Sequence, residues 1–199
     1  MGILGGIGSG KSAVANGLAR HFRTVVIDAD WIGHQVLTFP RIIQQLRRAF
    51  GDSIFDGDQV DRKRVAALVF GDEPRHRDAR RTLEQIVHSE IGRVAQSQIE
   101  AADKSTELIV LDAAVMLEAG WDRLCDFLVF VDTPVEDRLN RIRQQRDWTA
   151  DELQRREASQ LPLDEKRKAA DFVVNNSGSL AESVLQLTEL VRARLANPA

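Results

Sequence analysis

The sequence predicts an α/β fold: a five-stranded parallel sheet flanked by helices, carrying one large helical insertion and a second, shorter one. Short β-like runs alternate with longer helical patterns, as a sheet covered on both faces requires. Four of the runs are apolar without a break, the mark of strands buried on both sides. The first run leads through a cluster of glycines directly into a helical pattern. In order, the strands are expected at Gly2–Leu4, Thr24–Asp28, Leu108–Asp112, Phe127–Asp132 and Phe172–Asn175. The first is short beside the usual strand of about five residues. A helix is predicted from Lys11 to Phe22, with Val14, Leu18 and Phe22 at four-residue spacing, and a closing amphipathic helix carries Leu180, Val184, Leu187 and Val191.

Residues 29–107 hold no convincing strand and are too many for a simple crossover connection, so they are read as an inserted helical region. Pro40 opens a helix with Ile42, Ile43, Leu46 and Phe50. Gly51, Gly57 and Gly71 punctuate the chain, and Leu83, Ile86, Val87, Ile91 and Val94 form a long apolar stripe that reads as core. The second insertion follows the fourth strand, where Arg138, Arg141, Arg143 and Arg146 crowd ahead of Trp148 and a polar stretch to Arg156. At ~100° per residue, Arg138 and Arg141 lie about 60° apart, as do Arg143 and Arg146, but the two pairs face different ways. Some are expected to meet an anion and others to pair at the surface with Asp137 or Asp147.

The chain has 199 residues, 43% hydrophobic, enough for one core with insertions. A net charge of −3 gives none of the global basic field that nonspecific nucleic-acid binding needs. No apolar run approaches the roughly 20 residues of a membrane span, and a functional loop beginning at Gly5 leaves no room for a signal peptide. A cytoplasmic protein, a monomer or weak homo-oligomer, is expected. The single cysteine, Cys125, cannot form an internal disulfide and reads as a small buried residue.

Gly5-Gly6-Ile7-Gly8-Ser9-Gly10-Lys11-Ser12 fits the phosphate-loop pattern G-x-x-x-x-G-K-[ST] at every fixed position. Glycine is needed because a loop wrapping phosphate oxygens uses conformations that a Cβ forbids, letting its N–H groups converge on the anion. The helix that follows adds its dipole. Lys11 would reach the β- and γ-phosphates and Ser12 the Mg²⁺, so a nucleoside triphosphate is the expected ligand.

Further carboxylates stand where such a ligand would lie. Asp28 and Asp30 fall just beyond the carboxyl edge of the second strand, where open α/β sheets bind ligands. Strand alternation would project both to one side. One would accept a substrate hydroxyl proton and the other orient water on Mg²⁺, or one caps the helix starting near Trp31. Asp112 ends the Leu108–Leu111 run either as a metal-side acid or because turns favour Asp.

Taken together, these segments resemble the dephospho-CoA kinase family. The likeness spans almost the whole chain. It rests on the phosphate loop, on Val26-Ile27-Asp28-Ala29-Asp30, on Asp61-Arg62 with Val69-Phe70, on Leu111–Trp121 and on Lys166–Gly178. The resemblance implies a P-loop kinase core (residues 1–30, 105–137 and 169–199), a helical coenzyme A insertion (31–104) and a helical lid (138–168). It implies phosphorylation of the 3′-hydroxyl of dephospho-coenzyme A by ATP with Mg²⁺, giving coenzyme A and ADP. Lys11, Asp30 and Arg141 would be catalytic, with Arg143 the other lid candidate. ATP would be held by Gly6, Gly8, Ser9, Gly10, Lys11, Ser12, Ala13, Arg146, Asn176 and Gly178. Asp28, Arg62, His88 and Glu118 would meet the acceptor, and Ser12 and Asp112 the metal. His88 is equally well read as a satisfied structural histidine.

Two other readings carry weight. Another phosphate-loop small-molecule kinase shares the ATP machinery but leaves the large insertion and the Asp61–Phe70 match unexplained. A GTP-dependent switch would show a guanine-reading Asn-Lys-x-Asp element, and none occurs.

Overall fold

The protein is described here by a computed structural model covering residues 1–71, 73–146 and 148–197. Its strands are β1 (Gly2–Gly5), β2 (Thr24–Asp28), β3 (Phe55–Asp56), β4 (Gln59–Val60), β5 (Leu108–Asp112), β6 (Leu128–Asp132) and β7 (Phe172–Asn175). Its helices are α1 (Lys11–Gly17), α2 (Ala29–Val36), α3 (Pro40–Phe50), α4 (Arg62–Val69), α5 (Pro74–Glu100), α6 (Val135–Arg146), α7 (Ala150–Glu157), α8 (Leu163–Ala169) and α9 (Leu180–Ala196). Asp147, a candidate surface partner of the arginines, lies outside the described residues. No described helix is long and apolar enough to cross a membrane.

Two compact units divide the chain, one of residues 1–28 and 98–199, the other of residues 29–97. The first holds a five-stranded parallel sheet in the order β2-β5-β1-β6-β7. The short β1 sits at its centre, hydrogen-bonded to β5 on one side and β6 on the other, so four residues suffice because neither edge is exposed. Ile3, Val110, Val129, Val131 and Val174 pack with Val14 and Leu18 of the α1 segment and Leu187 and Val191 of α9 in one apolar cluster. That core explains the continuous apolar runs: each of these strands presents side chains to helices rather than to water.

The predicted first helix is shorter than its periodicity suggested. α1 stops at Gly17, and the chain tightens into a 3₁₀ turn over Leu18–Arg20. The Leu18 amide reaches the Ala15 carbonyl three residues back, as such tightening requires. Leu18 is fully buried and Phe22 packs against the core, so the apolar spacing was real although the regular helix was not.

In the second unit the helices carry an apolar cluster of Ile42, Leu46, Ile54, Phe55, Val65 and Val69, against which Leu83, Ile86 and Val87 of α5 pack. Pro40 stands in the first turn of α3, where its missing N–H costs nothing. Asp61 caps α4 by accepting from the amides of Lys63 (2.8 Å) and Arg64 (3.2 Å). The expectation of no strand here is corrected by the hairpin of β3 and β4, joined through Gly57-Asp58, with Phe55 opposite Val60. Two-residue strands are too short for alternation to register.

Candidate active site

The loop between β1 and α1 shows why its glycines are required. Gly8 (φ 75°) and Gly10 (φ 85°) hold left-handed conformations that a side chain resists. A Cβ on Gly8 would also come within 2.8 Å of Ile142, and one on Gly10 within 2.9 Å of Asn176 Nδ2. The loop is closed internally by the Ser9 amide donating to the Gly6 carbonyl (3.1 Å). Lys11 Nζ folds back over it, donating to the carbonyls of Gly5 (3.2 Å) and Gly6 (3.1 Å). An ammonium is thereby held against the loop's own carbonyls.

Strand register supplies the acids. Asp28 and Asp112 are Cα partners at the carboxyl ends of β2 and β5, so their side chains emerge on the same face of the sheet. Asp112 is nearly buried and its Oδ2 accepts a hydrogen bond from the Ser12 hydroxyl on α1. Ser12, Asp112 and Asp28 thus converge at one corner of the loop. Among the described residues no group of three or more His, Cys, Asp and Glu is arranged to hold a metal. The Ser12–Asp112 pair offers hard oxygen donors, which suit a divalent cation bound jointly with ligand phosphates rather than in an all-protein cage.

Asp30 falls differently from the expectation. The strand ends at Asp28 and α2 begins at Ala29, so Asp30 occupies the first turn of a helix and strand alternation does not extend to it. Its helical neighbour one turn on is His34. Arg62 Nη2 donates to His34 Nε2 (2.9 Å), so the imidazole nitrogen facing the guanidinium acts as acceptor. These two line a pocket of about 370 Å³ with Leu37, Thr38, Ile43 and Val60 and with the polar Asp58 and Gln59. His88 is half-buried on α5.

The arginines sort by helical face as the spacing predicted. Arg138, 5% exposed, donates to the Ile7 carbonyl (3.3 Å) and pairs with Glu157 of α7, not with its neighbour Asp137. Arg141 donates to the carbonyls of Ser9 (2.9 Å) and Asn176 (3.2 Å). Arg143 and Arg146 are exposed; Arg146 lies over the Trp148 ring at 5.0 Å, which Arg156 also approaches at 4.0 Å. Lys11 and Arg141 therefore put two cations at the loop, a field that draws a polyanion, while the charge of Arg138 is offset by Glu157.

Glu118 pairs with Lys166 Nζ at 2.9 Å and accepts from the Leu161 amide (2.8 Å). Lys166 is 1% exposed and also donates to the Ala114 carbonyl (2.7 Å). Asn176 is buried, with its side-chain amide bonded at both ends inside the protein: Nδ2 to the Ser9 carbonyl (2.6 Å) and Oδ1 from the Ser183 hydroxyl (2.7 Å). Gly178 is exposed, just ahead of α9, whose Ser179–Glu182 capping box holds the Glu182 carboxyl below its ordinary range through hydrogen bonds from Ser179. Thr133, Ser183 and Lys166 were missed as site residues. Thr133 and Ser183 had no periodic or motif signal, and Lys166 opens the family-like stretch Lys166–Gly178 without any role being assigned to it.

A glycine-rich loop on the central strand of a parallel sheet, with cations against it and a serine–aspartate pair beside it, is the architecture of phosphate-loop kinases. A shikimate kinase from Acinetobacter baumannii shares that fold, with a TM-score of 0.52 at 18% identity over 99% of this chain and 93% of its own. The dephospho-CoA kinase family model matches residues 1–182, and the chain belongs to that family. The dephospho-CoA kinase of Corynebacterium glutamicum is 35% identical over 194 residues, 96% of this chain and 94% of that protein. A crystal structure from Thermus thermophilus superposes with a TM-score of 0.81 at 31% identity, covering 98% of this chain and 96% of its own. Membership makes the protein a kinase that uses ATP, normally with a divalent metal.

Proposed function

We propose that the protein transfers the γ-phosphoryl group of ATP to the 3′-hydroxyl of dephospho-coenzyme A, releasing coenzyme A and ADP. The observation that carries this reading is the family match over residues 1–182, to which the loop, Lys11 and the Ser12–Asp112 pair give a chemical basis. Amides of Gly6, Gly8, Gly10, Lys11, Ser12 and Ala13 cradle the phosphates, Ser9 shapes that cradle through the bond its amide makes to the Gly6 carbonyl, and Lys11 offsets charge on the transferring group. Phosphoryl transfer passes through a loose transition state, so positioning and charge stabilisation carry most of the catalysis. Ser12 and Asp112 would hold Mg²⁺, which when bound neutralises phosphate charge.

Asp30 takes the acceptor proton. In a loose transition state the hydroxyl keeps that proton until late, so an ordinary carboxylate within hydrogen-bonding reach is enough. Asp28 borders the acceptor beside Asp112. Arg62 binds an anionic group of dephospho-coenzyme A at the rim of the His34 pocket, whose Leu37, Ile43 and Val60 walls suit an apolar arm. Asp30 and His34 lie one helical turn, about 6 Å, apart on α2, a spacing that lets one extended substrate touch both. Arg141 serves the transferring phosphate, Arg146 the nucleotide, and His88 and Glu118 the acceptor side. Asn176 and Gly178 border the adenine, Asn176 by its position at the end of β7, since its side chain and its backbone are both engaged within the protein. Residues 31–104 act as the acceptor-binding insertion and 138–168 as a lid that excludes water on closing. We place the protein in the cytoplasm as a monomer or weak homo-oligomer, with small molecules rather than nucleic acid or membrane as its partners.

The test is an acceptor panel. With ATP and Mg²⁺, the protein is expected to phosphorylate dephospho-coenzyme A far faster than adenosine, AMP or gluconate, with the new phosphate on the 3′-oxygen by mass and position. Equal rates for adenosine and dephospho-coenzyme A overturn the acceptor assignment and leave a phosphate-loop kinase of another specificity.

A further inference from the structure

The carbonyl oxygen of Ser9, in the middle of the phosphate loop, receives side-chain donors from three separate places in the fold. Thr133 Oγ1, just past β6, donates at 2.9 Å; Asn176 Nδ2, just past β7, at 2.6 Å; Arg141 Nη1, on α6, at 2.9 Å. A carbonyl oxygen has two lone pairs, so three donors exceed what satisfying a buried acceptor demands. Ser9, Thr133 and Asn176 are 1%, 7% and 2% exposed.

A fourth side chain fixes the second donor. Ser183 of α9, 1% exposed, donates its hydroxyl to Asn176 Oδ1 (2.7 Å) and also reaches the Asn175 carbonyl (3.0 Å). Turning the Asn176 amide over would set two acceptor oxygens face to face at the Ser9 carbonyl. The Ser9 carbonyl therefore sets Asn176 with its NH₂ towards the loop, and the Ser183 hydroxyl, bonded to the far end of the amide, holds that side chain in place.

Across a planar trans peptide the carbonyl of one residue and the N–H of the next point in opposite directions. Drawing the Ser9 oxygen towards Thr133, Asn176 and Arg141 therefore turns the Gly10 N–H away from them. Gly10 sits against the same clamp: a Cβ there would lie 2.9 Å from Asn176 Nδ2 and 3.0 Å from Arg141 Nη1. We propose that Thr133, Asn176 and Ser183 are positioning residues that lock the Ser9–Gly10 peptide, presetting the Gly10 N–H to meet a phosphate oxygen of the nucleotide. None of the three touches the reacting atoms; they act through the loop. The inference rests on the reading that this loop binds ATP. Its energetic logic is preorganisation: an amide already aimed at the anion does not have to be ordered when the ligand arrives.

The test uses the full chain and separates nucleotide from acceptor. Thr133→Val keeps the shape and deletes one donor, Ser183→Ala frees the Asn176 amide, and Thr133→Ser restores a hydroxyl. KM for ATP, KM for dephospho-coenzyme A, Kd for ADP by calorimetry and Tm are measured for each. Loss of one hydrogen bond's alignment predicts that Thr133→Val and Ser183→Ala raise the ATP KM and ADP Kd about 3- to 10-fold, with the acceptor KM changed less than about twofold. Thr133→Ser is expected to recover most of the nucleotide affinity. Unchanged ADP affinity in folded Thr133→Val and Ser183→Ala overturns the proposal, as does an equal rise in both KM values tracking a fall in Tm. Should Ser183→Ala fail to fold, the Thr133→Val and Thr133→Ser pair decides. Wild-type protein that binds no ADP overturns the nucleotide reading itself, an outcome distinct from variants that bind as the wild type does.

Discussion

Asp28 and Asp30 stand two residues apart, yet the chain treats them differently: one ends a strand opposite Asp112, the other enters a helix. If Asp30 takes the acceptor proton, Asp30→Asn should lower turnover by at least about a hundredfold, the usual minimum for losing a general base, with ATP affinity little changed. The same loss in Asp28→Asn, and none in Asp30→Asn, would exchange their roles. Cys125 makes a separate prediction. Burial pushes its thiol up to about 11 from an ordinary value of 9.0, so on raising the pH the unfolded chain loses this proton first. The folded state then holds more protons than the unfolded one, and stability falls as pH climbs through that window. Urea midpoints of wild type and Cys125→Ala should show any advantage of the wild type shrinking between pH of about 8 and about 10.5. The folded thiol should also react slowly with disulfide reagents at pH of about 8, because the thiolate is the nucleophile.

At the scale of elements, the junction of α1 with α9 decides how the loop's helix is held. Gly17 ends α1 against Val184 of α9, where an added Cβ would overlap Val184 Cγ2 and lie 3.0 Å from its Cγ1. Alanine in place of a helical glycine ordinarily gains about 1 kcal/mol. Here the whole Val184 side chain, 7% exposed and packed, must move, and overpacking of that kind costs about 1–3 kcal/mol. Gly17→Ala should therefore be destabilised in urea melts, and Val184→Ala in the same chain should recover part of the loss, the two sites being non-additive. A stabilised Gly17→Ala would mean that the two helices separate easily. Elements also mark where periodicity misled. The spacing of Val14, Leu18 and Phe22 reported burial correctly, but a 3₁₀ turn buries the same residues, so spacing alone did not disclose the break.

For the whole molecule, the question is why a phosphate loop should carry a second compact unit of residues 29–97. A long acceptor offers remote binding energy that can be used to position its hydroxyl, so shortening the arm of dephospho-coenzyme A should reduce kcat as well as raise KM. An acceptor that loses only KM on truncation would assign the unit to uniform binding. Much of this organisation was legible in the chain. The phosphate loop is a local device: its glycines, lysine and serine act within eight consecutive residues, so their pattern in sequence is their pattern in space. Strands buried on both faces announce themselves as unbroken apolar runs for the same reason. The order of the strands, with β1 at the centre, was not written locally, and neither was what that order brings together. Ser12 meets Asp112 across 100 residues, and the donors on the Ser9 carbonyl come from positions 124, 132 and 167 residues away. Lys166 is buried only because Glu118, Ala114 and Gln160 surround it after folding. The sequence determined the ligand-binding loop, the class of fold and the family, because those rest on short-range pattern; only the tertiary structure decided which distant side chains share a site, because strand register and helix packing have no counterpart in any local period.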